Sequence, residues 1–170
     1  DPEKDVTVKW YDEHSELAAQ MLSGKVSVAI VPEPFVTTIT MQDSNIKVAL
    51  DMNAEWDKVA DCTLSMGCIV VRTEFAEKNP DAVKAFIDEY TESVKKANND
   101  IDSTADLCVK YEIVPKAPVA KSAIPRCNMV TVTGKEMKDQ IAGFYELLND
   151  FKPGLIGGGL PDDSFYYSIG

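Results

Sequence analysis

The chain has 170 residues, enough for one good core or two small lobes and too few for a large multidomain enzyme. Its 17 basic and 28 acidic residues give a net charge of −11, which sets nucleic acid aside as a partner because a phosphate backbone would be repelled. A single histidine excludes a zinc site built on two or more, and 45% hydrophobic with 26% charged residues excludes wholesale disorder.

No apolar run approaches the roughly 18 residues of a membrane span. The sequence opens Asp1-Pro2-Glu3-Lys4, without an initiator Met or a signal peptide, and is expected to be a piece of something longer. Four cysteines, Cys62, Cys68, Cys108 and Cys127, include no C-x-x-C pair. Free buried thiols are the plain expectation; Cys108 with Cys127 is the pair if one disulfide forms.

Val6, Val8 and Trp10 alternate with polar residues and predict a strand. Leu17, Ala18, Met21 and Leu22 fall at helical spacing, with Gly24 placed to stop the helix and Ser15 or Asp12 placed to cap its start. Val26 to Val31 is a β-branched apolar run, as in a parallel strand covered on both faces. Pro32-Glu33-Pro34 ends it. Pro34 suits the first position of a second helix, with Phe35 and Ile39 facing inward. Asn45 to Leu50 predicts a third strand. The first fifty residues thus spell βαβαβ, an α/β unit with a parallel-rich sheet flanked by helices.

Residues 51–63, around Trp56, predict a loop, and Leu64 to Val71 a strand interrupted by Gly67. Asn79 and Pro80 start the clearest helix, with Val83, Phe86, Ile87, Tyr90 and Val94 as its stripe. Ser103-x-x-Asp106 and Thr133-x-x-Glu136 have the form of capping boxes. The second precedes an amphipathic helix carrying Met137, Ile141, Phe144, Tyr145 and Leu148. Gly157-Gly158-Gly159 has no Lys-Ser/Thr after it and predicts a turn rather than a phosphate loop. Phe165, Tyr166 and Tyr167 predict packing.

Covalent chemistry finds little support. Asp12-Glu13-His14-Ser15 sets a carboxylate, an imidazole and a hydroxyl side by side, yet a triad needs groups brought together from distant parts of a fold. His14 is expected as a solvated first-turn residue. No cofactor motif and no metal-ligand spacing occur, and the reading is a protein that is not an enzyme. Two loops at carboxyl ends of predicted strands are candidate ligand loops: Tyr11 to His14, and Pro32 to Phe35. In the second, Glu33 offers an acceptor and Phe35 a stacking wall; the competing reading is a plain helix start with Glu33 favoured by the helix dipole.

Two stretches carry a resemblance. Glu16-Leu17-Ala18-Ala19-Gln20-Met21-Leu22-Ser23-Gly24-Lys25-Val26-Ser27-Val28-Ala29-Ile30-Val31-Pro32-Glu33-Pro34 resembles the "A-A-x-x-x-G-x-V-D-A-x-x-x-x-E-P" segment of solute-binding proteins of ABC importers. The similar branch is the type II group that takes nitrate, sulfonates, taurine and thiamine-precursor pyrimidines. Ile69 to Phe86 resembles that group's hinge strand followed by "F-x-x-x-x-P-x-x-V-x-x-F". Ser27 departs from the usual Asp of "V-D-A".

The resemblance implies a type II periplasmic-binding-protein fold in which residues 1–65 are the later part of the second lobe. Residues 66–170 are then the hinge strand and the helices completing the first lobe, with the hinge at Ser65 to Ile69. It implies a small-molecule solute bound between lobes, an ABC permease as partner, and the N-terminal remainder of the same protein as the missing wall. It places the molecule outside the cytoplasm, periplasmic or as a surface lipoprotein. The expected ligand-binding residues are Glu33, Pro34 and Phe35, then Met66 and Gly67 near the hinge, and Tyr11 and Asp12. Alternatives on the same fold are a ligand-sensing regulatory domain and a pyrimidine-synthesis enzyme.

Overall fold

The computed structural model describes residues 4–168. Among the described residues eight α-helices follow one another: α1 (His14–Leu22), α2 (Phe35–Gln42), α3 (Met52–Trp56), α4 (Thr73–Lys78), α5 (Pro80–Asn99), α6 (Ile101–Lys110), α7 (Ala117–Ala123) and α8 (Gly134–Phe151). Short 3₁₀ turns occupy Ile124–Arg126, Pro153–Ile156 and Asp163–Phe165. The chain forms two compact units, each built from two stretches: Asp1–Val48 with Lys96–Met129, and Ala49–Lys95 with Val130–Gly170.

In the first unit α6 packs on α7, and α2 packs on both α1 and α7. Ala105, Val114, Val119, Ala120 and Ile124 form the core cluster, with Ile101, Cys108, Ala117 and Met129 packed against it. Small residues dominate because closely packed helices leave little room between their backbones. Gly24, at φ 72°, ends α1 as expected: its N–H donates to Met21 O at 2.9 Å and the Lys25 N–H to Gln20 O at 3.0 Å. Glu13 takes the N-cap position of α1 with no side-chain hydrogen bond, so neither Ser15 nor Asp12 caps it.

In the second unit α8 packs on the 3₁₀ turn that follows it, which Gly157 closes at φ 83°. The Trp56 ring meets Phe144 edge-on at 5.7 Å, and its Nε1 donates to Cys62 O at 2.6 Å. Gly143 lies where a Cβ would stand 2.8 Å from Cys62 Cβ, so α8 and the loop after α3 approach backbone to side chain. Phe165 packs edge-on against Tyr145 and Tyr166, and Lys138 pairs with Asp163 at 2.6 Å, which fixes the tail on α8.

Several local expectations are corrected. The predicted loop 51–63 contains α3, capped by Asp51, whose side chain accepts from Asn53 N and Ala54 N. Asn79 stands immediately before Pro80, the first residue of α5, as expected, and its carbonyl accepts from Val83 N at 3.2 Å, while its Nδ2 donates to Phe75 O and so also finishes α4. Asp100, not Ser103, caps α6 by accepting from Ser103 N at 3.1 Å. Thr133 is the N-cap of α8 without a side-chain bond, so its box is not closed. On α5 only Val83 and Val94 are buried, while Phe86 and Tyr90 stack on each other at the surface.

The expected sheet is not formed among the described residues. The runs predicted as strands there lie outside helices and carry no ladder of hydrogen bonds. Cys108 and Cys127 are free thiols, as are Cys62 and Cys68.

Candidate functional site

The turn between Val31 and α2 is held by its own backbone and one distant side chain. The Glu33–Pro34 peptide is cis, and Pro34 occupies the N-cap position of α2. Helix starts leave their first N–H groups without intrahelical partners. Here Phe35 N and Val36 N donate to Pro32 O at 3.0 and 3.2 Å, and Thr37 N donates to Glu33 Oε2 at 3.1 Å. The open amides of this helix start are therefore satisfied from within.

Glu33 also meets Arg126, whose Nε lies 3.3 Å from Glu33 Oε1. The Glu33 side chain is 11% exposed and that of Arg126 48%, so the carboxylate sits inside the turn and the guanidinium reaches water. Arg126 Nη2 donates to Thr37 Oγ1 and to Ser122 Oγ, both at 3.0 Å, and Nε donates to Ser122 O at 3.3 Å. Thr37 is fully buried. A planar guanidinium with several fixed donors suits this task, bridging a carboxylate, a buried hydroxyl and the end of α7.

Phe35 leaves this turn toward α1 and stacks on His14, with ring centroids 5.5 Å apart and planes 24° from parallel. His14 is exposed in the first turn of α1, and Phe35 is half-buried. The starts of α1 and α2 thus meet through a flat aromatic pair. Cys127 follows Arg126, with its thiol donating to Ala123 O at 3.4 Å. Burial of its sulfur, then the Glu33 and Cys108 charges, hold the Cys127 thiol above its ordinary pKa, while Arg126 pulls the other way.

Of the residues singled out in the sequence, Glu33, Pro34 and Phe35 stand together. Tyr11 lies under Lys9, whose Nζ is 4.7 Å from the ring centroid, and Asp12 is exposed. Met66, 81% exposed, and Gly67 belong to the second unit, and a Cβ at Gly67 would meet nothing within 4 Å. Arg126, Thr37 and Ser122 were not anticipated. The signal available was slender: Arg126 is one of only two arginines in an acidic chain.

The second unit carries two surface concavities. The larger, about 490 Å³, is walled by Asp57, Asp61, Cys62, Asp139 and Gly143 among others. Its carboxylates oppose anions, and Asp139 is paired with Lys135. Among the described residues no group of His, Cys, Asp and Glu could hold a metal ion, and no helix is long and apolar enough to cross a membrane.

Comparison with known proteins gives two matches. A family model described as menaquinone biosynthesis matches residues 2–129. The crystal structure of an ABC transporter from Parabacteroides distasonis is similar with a TM-score of 0.76 and 26% sequence identity, over 95% of this chain and 56% of that one. The chain therefore spans little more than half the length of that protein. No curated protein matches it. The likeness supports a periplasmic-binding-like fold. The family match overturns the expectation that the chain has no enzymatic role, because the family is a biosynthetic one.

Proposed function

The chain belongs to the menaquinone biosynthesis family, and from that premise we propose that it is the ligand-binding part of a periplasmic-binding-like protein that works with an ABC permease on a small organic or anionic nutrient. The observation that carries this reading is the likeness to an ABC transporter along 95% of the chain. The proposed ligand-facing residues are Pro34 and Phe35 with Glu33 behind them, Tyr11 and Asp12 on the neighbouring loop, and Met66 and Gly67 at the hinge. A location outside the cytoplasm, periplasmic or at the surface as a lipoprotein, belongs to the same proposal.

The bonds at the turn shape what Glu33 contributes. One carboxylate oxygen meets Arg126 and the other takes the Thr37 amide. Glu33 then serves as the post that orients Pro34 and Phe35, and the half-exposed guanidinium offsets its charge.

The second reading is turnover of a compound within menaquinone biosynthesis, favoured by the family match over residues 2–129. One genetic comparison separates the two. Deleting the gene and measuring cellular menaquinone by chromatography, alongside uptake of labelled aminopyrimidines, sulfonates and nitrate, gives opposite patterns. Loss of uptake with menaquinone intact supports the transport reading. Loss of menaquinone with uptake intact refutes it in favour of turnover.

A further inference from the structure

Two cysteines of the first unit lie along the packing of α6 on α7. Ala105 of α6 and Ile124 of the 3₁₀ turn after α7 share the core cluster, and a cysteine follows each of them three residues on. Residues so spaced in a helical turn lie on one face. Cys108 accordingly packs against that cluster and is half-buried. Cys127 closes the 3₁₀ turn: its N–H donates to Ile124 O at 3.1 Å, its thiol donates to Ala123 O at 3.4 Å, and the residue is exposed. Burial first, and then the charges of Glu33 and Cys108, weigh on the Cys127 thiol, so both groups lie within electrostatic reach of it. Cys62 and Cys68 belong to the second unit.

The position of Cys127 couples this pair to the turn before α2. Its chain neighbour Arg126 holds Glu33, Thr37 and Ser122. The two Nη2 bonds are 3.0 Å long. Bonds of that length are lost once the donor retreats by about 0.6 Å. A disulfide draws its two sulfurs to about 2.05 Å. Closing one here takes the Cys127 sulfur off Ala123 O and toward α6, and shifts the backbone that carries Arg126.

The geometry points to Cys108 and Cys127 as a reversible dithiol, oxidised by a small-molecule disulfide, whose closure releases the Arg126 clamp on the Glu33 turn. Cys127 is the exposed member and reacts first. Its thiolate attacks one sulfur of the reagent, a mixed disulfide forms and one small thiolate leaves. The Cys108 thiolate then attacks the Cys127 sulfur and expels the second small thiolate. Two protein thiols lose two protons and two electrons, and one small disulfide becomes two small thiols. The inference does not depend on which ligand the protein takes, and its test uses none.

The chain is incubated with oxidised glutathione, its remaining thiols are blocked, and it is cleaved after Lys and Arg. Cys108 then falls on peptide 97–110, Cys127 on 127–135, and Cys62 with Cys68 on 59–72. Mass spectrometry should find a disulfide joining 97–110 to 127–135, reversed by dithiothreitol. Amide hydrogen exchange of α2 is then at least about 10-fold faster in the oxidised chain than in the reduced one, and reduction restores it. Cys127→Ser abolishes both the link and the change in exchange, while Cys108→Ala leaves glutathione on Cys127 as the end product. In the unsubstituted chain, glutathione retained on Cys127 without the link overturns the pairing, as does a link from either peptide to 59–72. The link formed with α2 exchange unchanged overturns the coupling to the turn.

Discussion

Replacing Arg126 with Ala removes three connections at once, and their sizes follow from the surroundings. The pair with Glu33 spans 3.3 Å, and the guanidinium is 48% exposed, so water screens it and its share lies near the upper end of the about 0–1 kcal/mol of surface pairs. The bond to Thr37 Oγ1 differs, because Thr37 is fully buried and its hydroxyl loses that donor. Leaving a buried polar group unpaired costs about 1–3 kcal/mol. Together these give a loss of about 2 kcal/mol for Arg126→Ala. Arg126→Lys keeps a charge but not the fork that reaches Glu33, Thr37 and Ser122, and falls between Ala and the native residue.

Hydrogen exchange of the α2 amides under native conditions reads this loss within the first unit and avoids assuming one cooperative transition for both units. A cycle with Glu33→Gln isolates the pair, with an expected coupling of about 0.5–1 kcal/mol. If Arg126→Ala changes α2 protection by less than about 0.5 kcal/mol, the ordinary range for surface substitutions, the turn is not held by Arg126. Additivity of the two changes would show that the 3.3 Å contact carries no coupling.

Other substitutions bear on neighbouring features. Gly143→Ala places a methyl 2.8 Å from Cys62 Cβ, an atom next to the backbone; overpacking of about 1–3 kcal/mol exceeds the roughly 1 kcal/mol of helix propensity gained, and a lowered melting temperature is expected. A raised one would mean the loop yields freely. Asp51→Ala removes the acceptor for Asn53 N and Ala54 N, so the amides of α3 should exchange faster, matching a cap worth about 1 kcal/mol; unchanged exchange would show that packing of Trp56 alone keeps α3. The Cys127 thiol, raised chiefly by burial, alkylates more slowly at a given pH than a model cysteine peptide, and Arg126→Ala slows it further by removing the charge that favours thiolate. Because the folded state holds this proton more tightly than the unfolded one, its stabilisation is present below the unfolded thiol pKa and is lost as pH climbs through the folded value. Faster alkylation than the peptide would contradict that order.

The long helices were legible because each announces itself locally. α5 and α8 repeat apolar residues at helical spacing over 20 and 18 residues, and Gly24 marks the end of α1 with a left-handed backbone. α3, α4 and α7, of five to seven residues, are too short for a period to emerge. Capping was harder to place, since Asp100 and Ser103 are both good caps and the choice depends on where the first turn closes. Glu33, Pro34 and Phe35 stood out as a loop, yet the residue that organises them lies 89 positions beyond Thr37, and no local pattern encodes such a contact.

Helix and strand differ in where their hydrogen bonds are made, and that difference accounts for the remaining disagreement. A helix satisfies its backbone within one segment, so a correct local pattern is enough to form it. A strand satisfies its backbone only across a neighbour, so the same degree of local correctness yields a sheet only when the neighbour is present. Val26–Val31 has the β-branched run of an interior parallel strand, yet Val28 and Ile30 are out in solvent while Val26, Ala29 and Val31 are half-buried. The pattern and the exposure agree once the residues are treated as half of a pairing. The Glu33–Arg126 turn, by contrast, finds all its partners within one unit.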